Sequence, residues 1–219
     1  MQEEDWFKKY DPRKRILTGR AYLLVKRFMD LFLVVGTLPL WLPLIGIIAS
    51  MIRVTSPGEP VVFKQLRTGK GGRRFQMYKF RTMVPNAEEL KLKYAHLNEL
   101  QWPDFKITND PRITPVGKLL RKTSLDELPQ LFNILRGEMS LVGPRPTSFG
   151  PETYKLWHTH RLDAIPGLTG LWQITGRAQL EFDDRLRLDI AYLERASVWL
   201  DINILARTLI AVLEFRGAH

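Results

Sequence analysis

The sequence predicts a mainly helical α+β protein with one small β-hairpin and a proline-broken, apolar helical hairpin near its N-terminus. Three observations indicate this class. Residues 31–52 form an apolar run without a charged residue, residues 61–83 alternate apolar and polar positions around glycines, and four later segments carry helical patterns. The 219 residues, 45% of them hydrophobic, suffice for one domain with a sizeable core.

The charge balance indicates an anionic partner. Thirty-three Lys and Arg residues face 23 Asp and Glu residues, giving a formal net charge of +10. Such an excess suits nucleic acid, a lipid surface or a phosphorylated substrate, and charge alone does not choose among them. The absence of cysteine from the sequence excludes disulfides and thiolate metal sites. His158 and His160 are two positions apart, so we expect a surface pair rather than metal ligands.

The run 31–52 has the length of a membrane segment. Basic residues flank it on both sides, so the positive-inside rule gives no orientation for a crossing. Pro39 and Pro43 lie near its centre and are expected to break the helix. Arms of about eleven residues would then reach about 17 Å each, roughly half the hydrocarbon thickness.

A re-entrant hairpin explains both observations, and a kinked single span is the alternative that the residues leave open. Asp30, at the edge of the run, is expected to pair with Lys26 or Arg27. We therefore divide the chain into a basic interfacial segment (1–27), a membrane helix-break-helix (28–53) and a catalytic domain with interfacial amphipathic helices (54–219).

A β-hairpin follows, with VVFKQLR and RRFQMYKFRTM as its strands and T-G-K-G-G as the turn. The glycines do not form a phosphate-binding loop motif. Lys79 and Arg81 are candidates for phosphate contacts, and the alternative is that they edge the sheet. Asn86 and Glu89 resemble a capping box that opens a helix over 87–100.

Two adjacent carboxylates, Asp126 and Glu127, begin the next predicted helix. Ser124 is a candidate N-cap, Pro129 fits the first turn and Gly137 is a stop signal, which predicts a helix over 125–136. The positive end of a helix favours ionised carboxylates, the form that attacks phosphorus or binds Mg²⁺. Plain helix capping is the alternative.

Two arginines flank these carboxylates in sequence. A carboxylate that approaches a phosphodiester needs cations on the non-bridging oxygens, and Arg121 and Arg145 are the candidates. Arg145 stands between Pro144 and Pro146, which restrict its backbone and suit a fixed, bidentate phosphate contact. Solvated arginines and an ordinary rigid turn are the alternatives.

The C-terminal part combines a loop with two helices. Residues 160–178 are rich in turn residues, and such a loop beside a basic site is expected to hold a base and ribose. Gln173, Gly176 and Arg177 are the nucleotide-binding candidates, with a structural loop as the alternative. Helical patterns then cover about 184–195 and 198–216, the second with a broad apolar stripe suited to the core or a lipid interface.

From about Lys26 to its end, the chain resembles the bacterial sugar transferase family, the monotopic polyprenyl-phosphate phosphoglycosyl transferases. The motifs that carry this, in family order, are KRFMDLFL, VVFKQLRTGKGGRRFQMYKFRTM, KITNDPRITPVGKLLRKTSLDELPQLFNILRGEMSLVGPRP and PGLTGLWQITGR. The ending LIAVLEFRGAH looks like that of members acting on hexose-1-phosphates. Larger members have an additional N-terminal membrane domain, so this chain is either a short member or part of a long one.

The resemblance implies transfer of a sugar-1-phosphate from a UDP-sugar, with UDP-hexose expected, to polyprenyl (undecaprenyl) phosphate. The products would be polyprenyl-diphosphate-sugar and UMP, the first membrane step towards an exopolysaccharide, an O-antigen or another glycoconjugate. It also implies the bacterial inner membrane, with the catalytic domain on the cytosolic face and the lipid bilayer as a partner. Nucleic acid is not an expected partner, and a homodimer is left open.

The resemblance also implies roles for individual residues. Asp126 and Glu127 would form the catalytic dyad and hold Mg²⁺, with Asp126 as the nucleophile that carries the phosphosugar. Arg121 and Arg145 would contact phosphate. Two rivals remain at this stage: a membrane-tethered, metal-dependent phosphohydrolase using the same dyad, and a basic nucleic-acid-binding module.

Overall fold

The computed structural model describes residues 3–99, 105, 107–175 and 180–214. The fold is mainly helical. Its helices are α1 (Gly19–Gly36), α2 (Leu38–Thr55), α3 (Ala87–Lys93), α4 (Pro115–Lys122), α5 (Gln130–Arg136), α6 (Leu171–Thr175), α7 (Phe182–Arg195) and α8 (Val198–Leu213). The strands are β1 (Val62–Thr68), β2 (Arg74–Phe80), β3 (Ser140–Val142) and β4 (Gly167–Thr169).

The predicted β-hairpin is confirmed. Strands β1 and β2 pair antiparallel, from Val62 opposite Phe80 to Thr68 opposite Arg74. The turn needs Gly71, whose φ of 63° lies in the left-handed region that side chains disfavour. A second, shorter pair joins β3 and β4 in parallel. It fixes the segment that follows β3, which carries Arg145.

The apolar run is broken, but earlier than the sequence predicts. Helix α1 ends at Gly36 and α2 begins at Leu38, so the break falls at Thr37. The Thr37 hydroxyl donates to the Leu33 carbonyl at 2.6 Å, and the Trp41 indole N–H donates to the Val34 carbonyl at 2.9 Å. Pro39 follows in the first turn of α2, where a missing N–H costs little. The expectation that Pro43 breaks the helix is wrong, because it lies inside α2.

The expected arm length is also wrong. Helices α1 and α2 have 18 residues each, which corresponds to about 27 Å at 1.5 Å per residue. In the part of the chain that the structure describes, α2 is the one helix long and apolar enough to cross a membrane, and 17% of it is buried within the fold. Arm length therefore gives no support to a shallow hairpin.

Each arm of this broken hairpin nevertheless has one buried face. Val34 of α1 and Trp41, Ile48 and Ile52 of α2 are at most 5% exposed. They pack against the β-hairpin, α4 and α5. The opposite faces expose large apolar side chains, among them Leu24, Phe28, Phe32, Val35, Leu40, Ile47 and Val54. A surface of this size and composition is unfavourable in water and suits contact with lipid.

The N-terminal half of α1 is tied to the rest of the fold by buried polar contacts. The Lys26 ammonium lies 2.9 Å from the Asp201 carboxylate of α8, which also accepts hydrogen bonds from Tyr22 at 2.9 Å and Tyr192 at 2.7 Å. The expected pairing of Asp30 with Lys26 or Arg27 is not found among the described residues. Asp30 instead accepts the backbone N–H of Leu141 in β3 at 3.0 Å.

Arg27 caps the C-terminal end of α5. It donates to the carbonyls of Ile134 at 2.6 Å and Leu135 at 2.9 Å, groups that a helix end leaves without partners. Residues 27 and 28, where the sequence-based division separates two segments, both lie in α1, and this division stays a prediction. The boundary after residue 53 likewise lies in the last turn of α2.

Other sequence-based predictions have mixed outcomes. Helices α7 and α8 match the segments predicted at 184–195 and 198–216, although residues 215 and 216 lie outside the described residues. The helix predicted over 87–100 is shorter, because α3 is followed by a separate 3₁₀ turn. Asn86 has a φ of 57° and makes no side-chain cap, so the predicted capping box is wrong. In the segment predicted as interfacial, Trp6 and Phe7 are buried against α7 and α8.

Candidate active site

The two predicted catalytic carboxylates lie in a 3₁₀ turn, Leu125–Glu127, between α4 and α5. The prediction of one helix capped by Ser124 is wrong, because Ser124 has a φ of 58° and makes no side-chain cap. The α-helix starts only at Gln130, directly after Pro129. Gly137, with a φ of 80°, ends it as predicted. The tight turn presents both carboxylates to a shared cavity.

Glu127 is held by two cations from distant parts of the chain. Its Oε1 lies 2.7 Å from the Lys79 ammonium of β2 and 2.5 Å from the Arg145 guanidinium that follows β3. The Glu127 and Lys79 side chains are 17% and 19% exposed. Burial alone would raise the pKa of Glu127, but Arg145 and Lys79 together lower this pKa well below its usual range. Glu127 is therefore an anion that organises both cations.

The surroundings of Asp126 differ from those of Glu127, although the two residues are adjacent in sequence. Among the described residues, its carboxylate makes no hydrogen bond and no ion pair within 4 Å. Burial raises the pKa of Asp126 above its usual range, and the Lys79 charge opposes that shift. Arg121, whose Nε donates to the Thr82 hydroxyl at 2.9 Å, also favours the charged form. The two carboxylates are not interchangeable, since Asp126, unlike Glu127, has no partner among the residues that the structure describes.

A backbone hydrogen bond helps to position Arg145. Its carbonyl accepts a hydrogen bond from Arg161, whose guanidinium lies 2.6 Å from the buried Asp189 of α7. Gly143 precedes it at a point of close backbone approach, where a Cβ would lie 2.5 Å from the Ile165 carbonyl oxygen. The Arg145 guanidinium is thus held beside Glu127. The parallel strand pair, the hydrogen bond from Arg161 and the two flanking prolines all restrict the backbone of Arg145.

Arg81, the second candidate for a phosphate contact in the β-hairpin, binds groups near the end of α2. Its Nη2 donates to the Ser56 carbonyl at the end of α2 at 2.7 Å, and its Nη1 lies 4.0 Å from Glu59. It lines the same cavity as the dyad but forms no ion pair with it among the described residues. Its observed contacts join the second apolar helix to β2.

One cavity of about 1730 Å³ contains the dyad and the surrounding cations. One wall is aromatic and includes Phe149, Tyr154, His158, Trp172 and Phe182. Another reaches Leu33 and Thr37 at the helix break and Leu209 on the outer part of α8. The cavity therefore extends from the charged site to the exposed apolar side of the protein.

The predicted nucleotide loop is described only in part. Gln173 lines the cavity, and its Nε2 donates to the Leu168 carbonyl at 3.3 Å. Gly176 and Arg177 lie outside the described residues. His158 is buried rather than at the surface as expected, and its Nε2 lies 3.4 Å from Asp183. Burial lowers the pKa of this imidazole, which favours the neutral ring.

The residues of the site could hold Mg²⁺ through a carboxylate, together with water and substrate oxygens. No group of three or more His, Asp or Glu side chains suited to a metal occurs in the part of the chain that the structure describes. Mg²⁺ is often held by one or two carboxylates, with water and substrate phosphate oxygens completing the shell. Asp126 has a carboxylate available for this, whereas Glu127 is already bound by two cations.

This site combines several cations with a carboxylate that has no partner in the described part of the chain, an arrangement suited to binding phosphate groups. Residues 21–215 match the family described as "Bacterial sugar transferase". The chain belongs to that family.

Three relatives illustrate the family. The chain is 44% identical over 209 residues to the "Undecaprenyl-phosphate galactose phosphotransferase" of Salmonella typhimurium, covering 93% of this chain and 43% of that protein. It is 42% identical over 200 residues to the "UDP-galactose-lipid carrier transferase" of Erwinia amylovora, covering 89% of this chain and 42% of that protein. It is 39% identical over 201 residues to the "Exopolysaccharide production protein ExoY" of Rhizobium meliloti, covering 90% and 88%. The chain thus spans less than half the length of the first two relatives.

Proposed function

We propose that this chain transfers a sugar-1-phosphate from a UDP-sugar to polyprenyl phosphate, through a phosphosugar carried on Asp126. The observation that carries the proposal is the difference between the two carboxylates. Glu127 is paired with Lys79 and Arg145, whereas Asp126 has no protein partner among the described residues and faces the cation-lined cavity. An unpartnered carboxylate surrounded by cations suits attack on a phosphorus atom.

In the first step, a carboxylate oxygen of Asp126 attacks the β-phosphorus of the UDP-sugar. The bond from that phosphorus to the bridging oxygen breaks, and UMP leaves with the electron pair. Arg121 and Arg145 stabilise charge on the phosphoryl oxygens, because they are held in place before the reaction. Mg²⁺, when bound at Asp126, would neutralise charge on the diphosphate.

In the second step, an oxygen of polyprenyl phosphate attacks the same phosphorus. The bond to the Asp126 carboxylate breaks, which regenerates the free carboxylate and gives polyprenyl-diphosphate-sugar. A phosphate monoester is already largely ionised near neutral pH, so the acceptor needs no strong general base. Two steps allow a water-soluble donor and a lipid acceptor to use one site in turn.

The shape of the cavity supports a lipid acceptor. It runs from the dyad to the helix break at Thr37 and to Leu209 of α8, which is 67% exposed. A prenyl tail can remain in the hydrocarbon while its phosphate reaches Asp126. The relatives whose names include undecaprenyl phosphate or a lipid carrier favour the same acceptor class.

We further propose that α1 and α2 enter the membrane and return on the same, cytosolic side. Helix α2 packs on the catalytic body along its length, from Trp41 in its first turn to Ile52 near its end. A perpendicular crossing would pull the charged β-hairpin and α4 into the hydrocarbon, which is costly. A tilted, re-entrant placement buries the exposed apolar faces in lipid and leaves the dyad at the interface.

The test is incubation of the purified full chain with a panel of UDP-sugars, with and without polyprenyl phosphate. We expect UMP release to depend on Mg²⁺ and on Asp126, and labelled UMP to exchange into UDP-sugar before any acceptor is added. If labelled UMP does not exchange into UDP-sugar although transfer to polyprenyl phosphate is normal, the covalent step is contradicted. Free sugar phosphate released without acceptor would favour a phosphohydrolase instead.

A further inference from the structure

The guanidinium of Arg67, in β1, lines the cavity, and its hydrogen-bond acceptors among the described residues are neutral. Its Nε and Nη2 lie 3.1 and 2.5 Å from the Gln65 amide oxygen, and its Nη1 donates to the Pro146 carbonyl at 3.3 Å. No carboxylate of the described residues lies within 4 Å of it. Burial and the neighbouring Arg145 lower the pKa of Arg67 to about 10, so it remains a cation at neutral pH.

Arg67 differs in its pairing from other cations that line the cavity. Lys79 and Arg145 are paired with Glu127, Arg81 lies 4.0 Å from Glu59 and Lys155 lies 3.8 Å from Asp183. Arg67 has no such carboxylate among the described residues. A partly buried cation without an anion is costly, and the charge of a bound phosphate would compensate it.

The position of Arg67 indicates which phosphate it meets. Its Nη1 donates to the carbonyl of Pro146, the residue after Arg145, which is paired with Glu127. The next residue, Thr147, is hydrogen-bonded through its hydroxyl to Tyr154, whose ring is 6.0 Å from that of His158. The wall continues through Phe182, 5.9 Å from His158. Arg67 thus contacts the segment that joins the Arg145 side of the dyad to an aromatic surface on which a nucleobase can stack.

We propose that Arg67 binds the phosphate of the nucleotide, the one that leaves as UMP, rather than the phosphate that is transferred. Gln65 and the Pro146 carbonyl orient the guanidinium before the substrate arrives, which leaves the remaining N–H groups to bind oxygen anions. Arg67 is then a binding residue that distinguishes a nucleotide from a nucleoside. The inference rests on the proposed function, since it takes a uridine nucleotide as the donor.

The experiment compares the affinities of UMP and uridine by titration calorimetry on the full chain in detergent. Arg67→Gln keeps length and polarity, Arg67→Lys keeps the charge, and Arg73→Gln is the matched control. Arg73 is exposed on the same hairpin and does not line the cavity. We expect Arg67→Gln to weaken UMP by about tenfold to a hundredfold, the effect of losing a charge-assisted hydrogen bond, and to leave uridine unchanged. Arg67→Lys should retain part of the preference, and Arg73→Gln all of it.

Several results would overturn this assignment. If Arg67→Gln keeps the wild-type preference for UMP over uridine, or weakens uridine equally, Arg67 does not bind the nucleotide phosphate. If UMP binding is unchanged and the KM for polyprenyl phosphate rises instead, Arg67 serves the acceptor. A wild-type chain that neither prefers UMP to uridine nor releases UMP from any UDP-sugar would refute the proposed function itself, a result distinct from these.

Discussion

Replacing Glu127 by Gln tests whether this residue stabilises the fold in a way that its neighbour Asp126 does not. The substitution removes the negative charge that Lys79 and Arg145 share, and leaves two cations close together. Breaking a buried pair costs about 3–5 kcal/mol, and an exposed pair contributes about 0.2–1 kcal/mol. The three side chains are 17%, 19% and 30% exposed, so an intermediate loss of about 2 kcal/mol is expected.

For a chain of this size, about 2 kcal/mol corresponds to a fall in the unfolding midpoint of about 4–8 °C. Asp126→Asn is the matched control, because it makes the same chemical change one residue away, where no ion pair is lost. Its midpoint should stay within about 2 °C of wild type, since a carboxylate whose pKa is raised by burial gains nothing from being charged. Thermal unfolding in detergent, followed by near-ultraviolet circular dichroism, measures both variants.

The difference in stability between wild type and Glu127→Gln should also depend on pH, in a direction that the pKa of Glu127 determines. The pKa of Glu127 is lowered in the folded state, so its stabilisation is present above the unfolded value of about 4.5 and is lost as the pH falls below it. The gap between wild type and Glu127→Gln should therefore be full at pH 7 and shrink below pH 4.5. Equal midpoints at pH 7, or an equal loss in Asp126→Asn, would refute the argument.

Three further predictions concern the site and its attachment. Asp126→Asn should lower UMP release by about 10⁴-fold or more. The rate of the wild-type protein should decline as the pH falls, at a pH above the usual aspartate range, because burial raises the pKa of Asp126. A wild-type rate that stays unchanged down to pH 3.8 would contradict this. Cysteines replacing Arg20 and Pro57, in a chain that has none, should be labelled from the same side of sealed vesicles, and labelling from opposite sides would establish a crossing. Lys26→Met and Asp201→Asn should each destabilise by about 3 kcal/mol, and the double variant by less than the sum; additive losses in urea unfolding would show that the pair is not coupled.

Local patterns were enough to predict several elements. The β-hairpin follows from alternation around glycines, and α7 and α8 follow from their apolar periodicity. Gly137 ends α5 because its left-handed conformation favours glycine, a requirement that is visible in sequence. The choice of Asp126, Glu127, Arg121 and Arg145 combined such patterns with a family resemblance, and the structure places them around one cavity.

Other features depend on contacts that sequence does not display. Ser124 and Asn86 look like N-caps, but both adopt left-handed conformations in turns, where their side chains make no cap. The helical apolar run breaks at Thr37 and continues through Pro43. A proline within a helix is tolerated when neighbouring elements support it. Arg67 was missed because its local sequence does not show whether it has a carboxylate partner. This becomes visible only in the fold, where the end of β1 pairs with Thr147 just after Arg145.

The buried contact between Lys26 and Asp201 also constrains how the protein is made. Lys26 is translated 175 residues before its partner, so this contact can form only after α8 has been made. Other contacts of α1 can close earlier, since Arg27 binds the end of α5 and Asp30 binds Leu141. An ammonium buried without its partner is costly, so the N-terminal half of α1 is expected to dock last. A chain arrested before residue 201 should keep the Arg27 and Asp30 contacts while Lys26 stays in solvent.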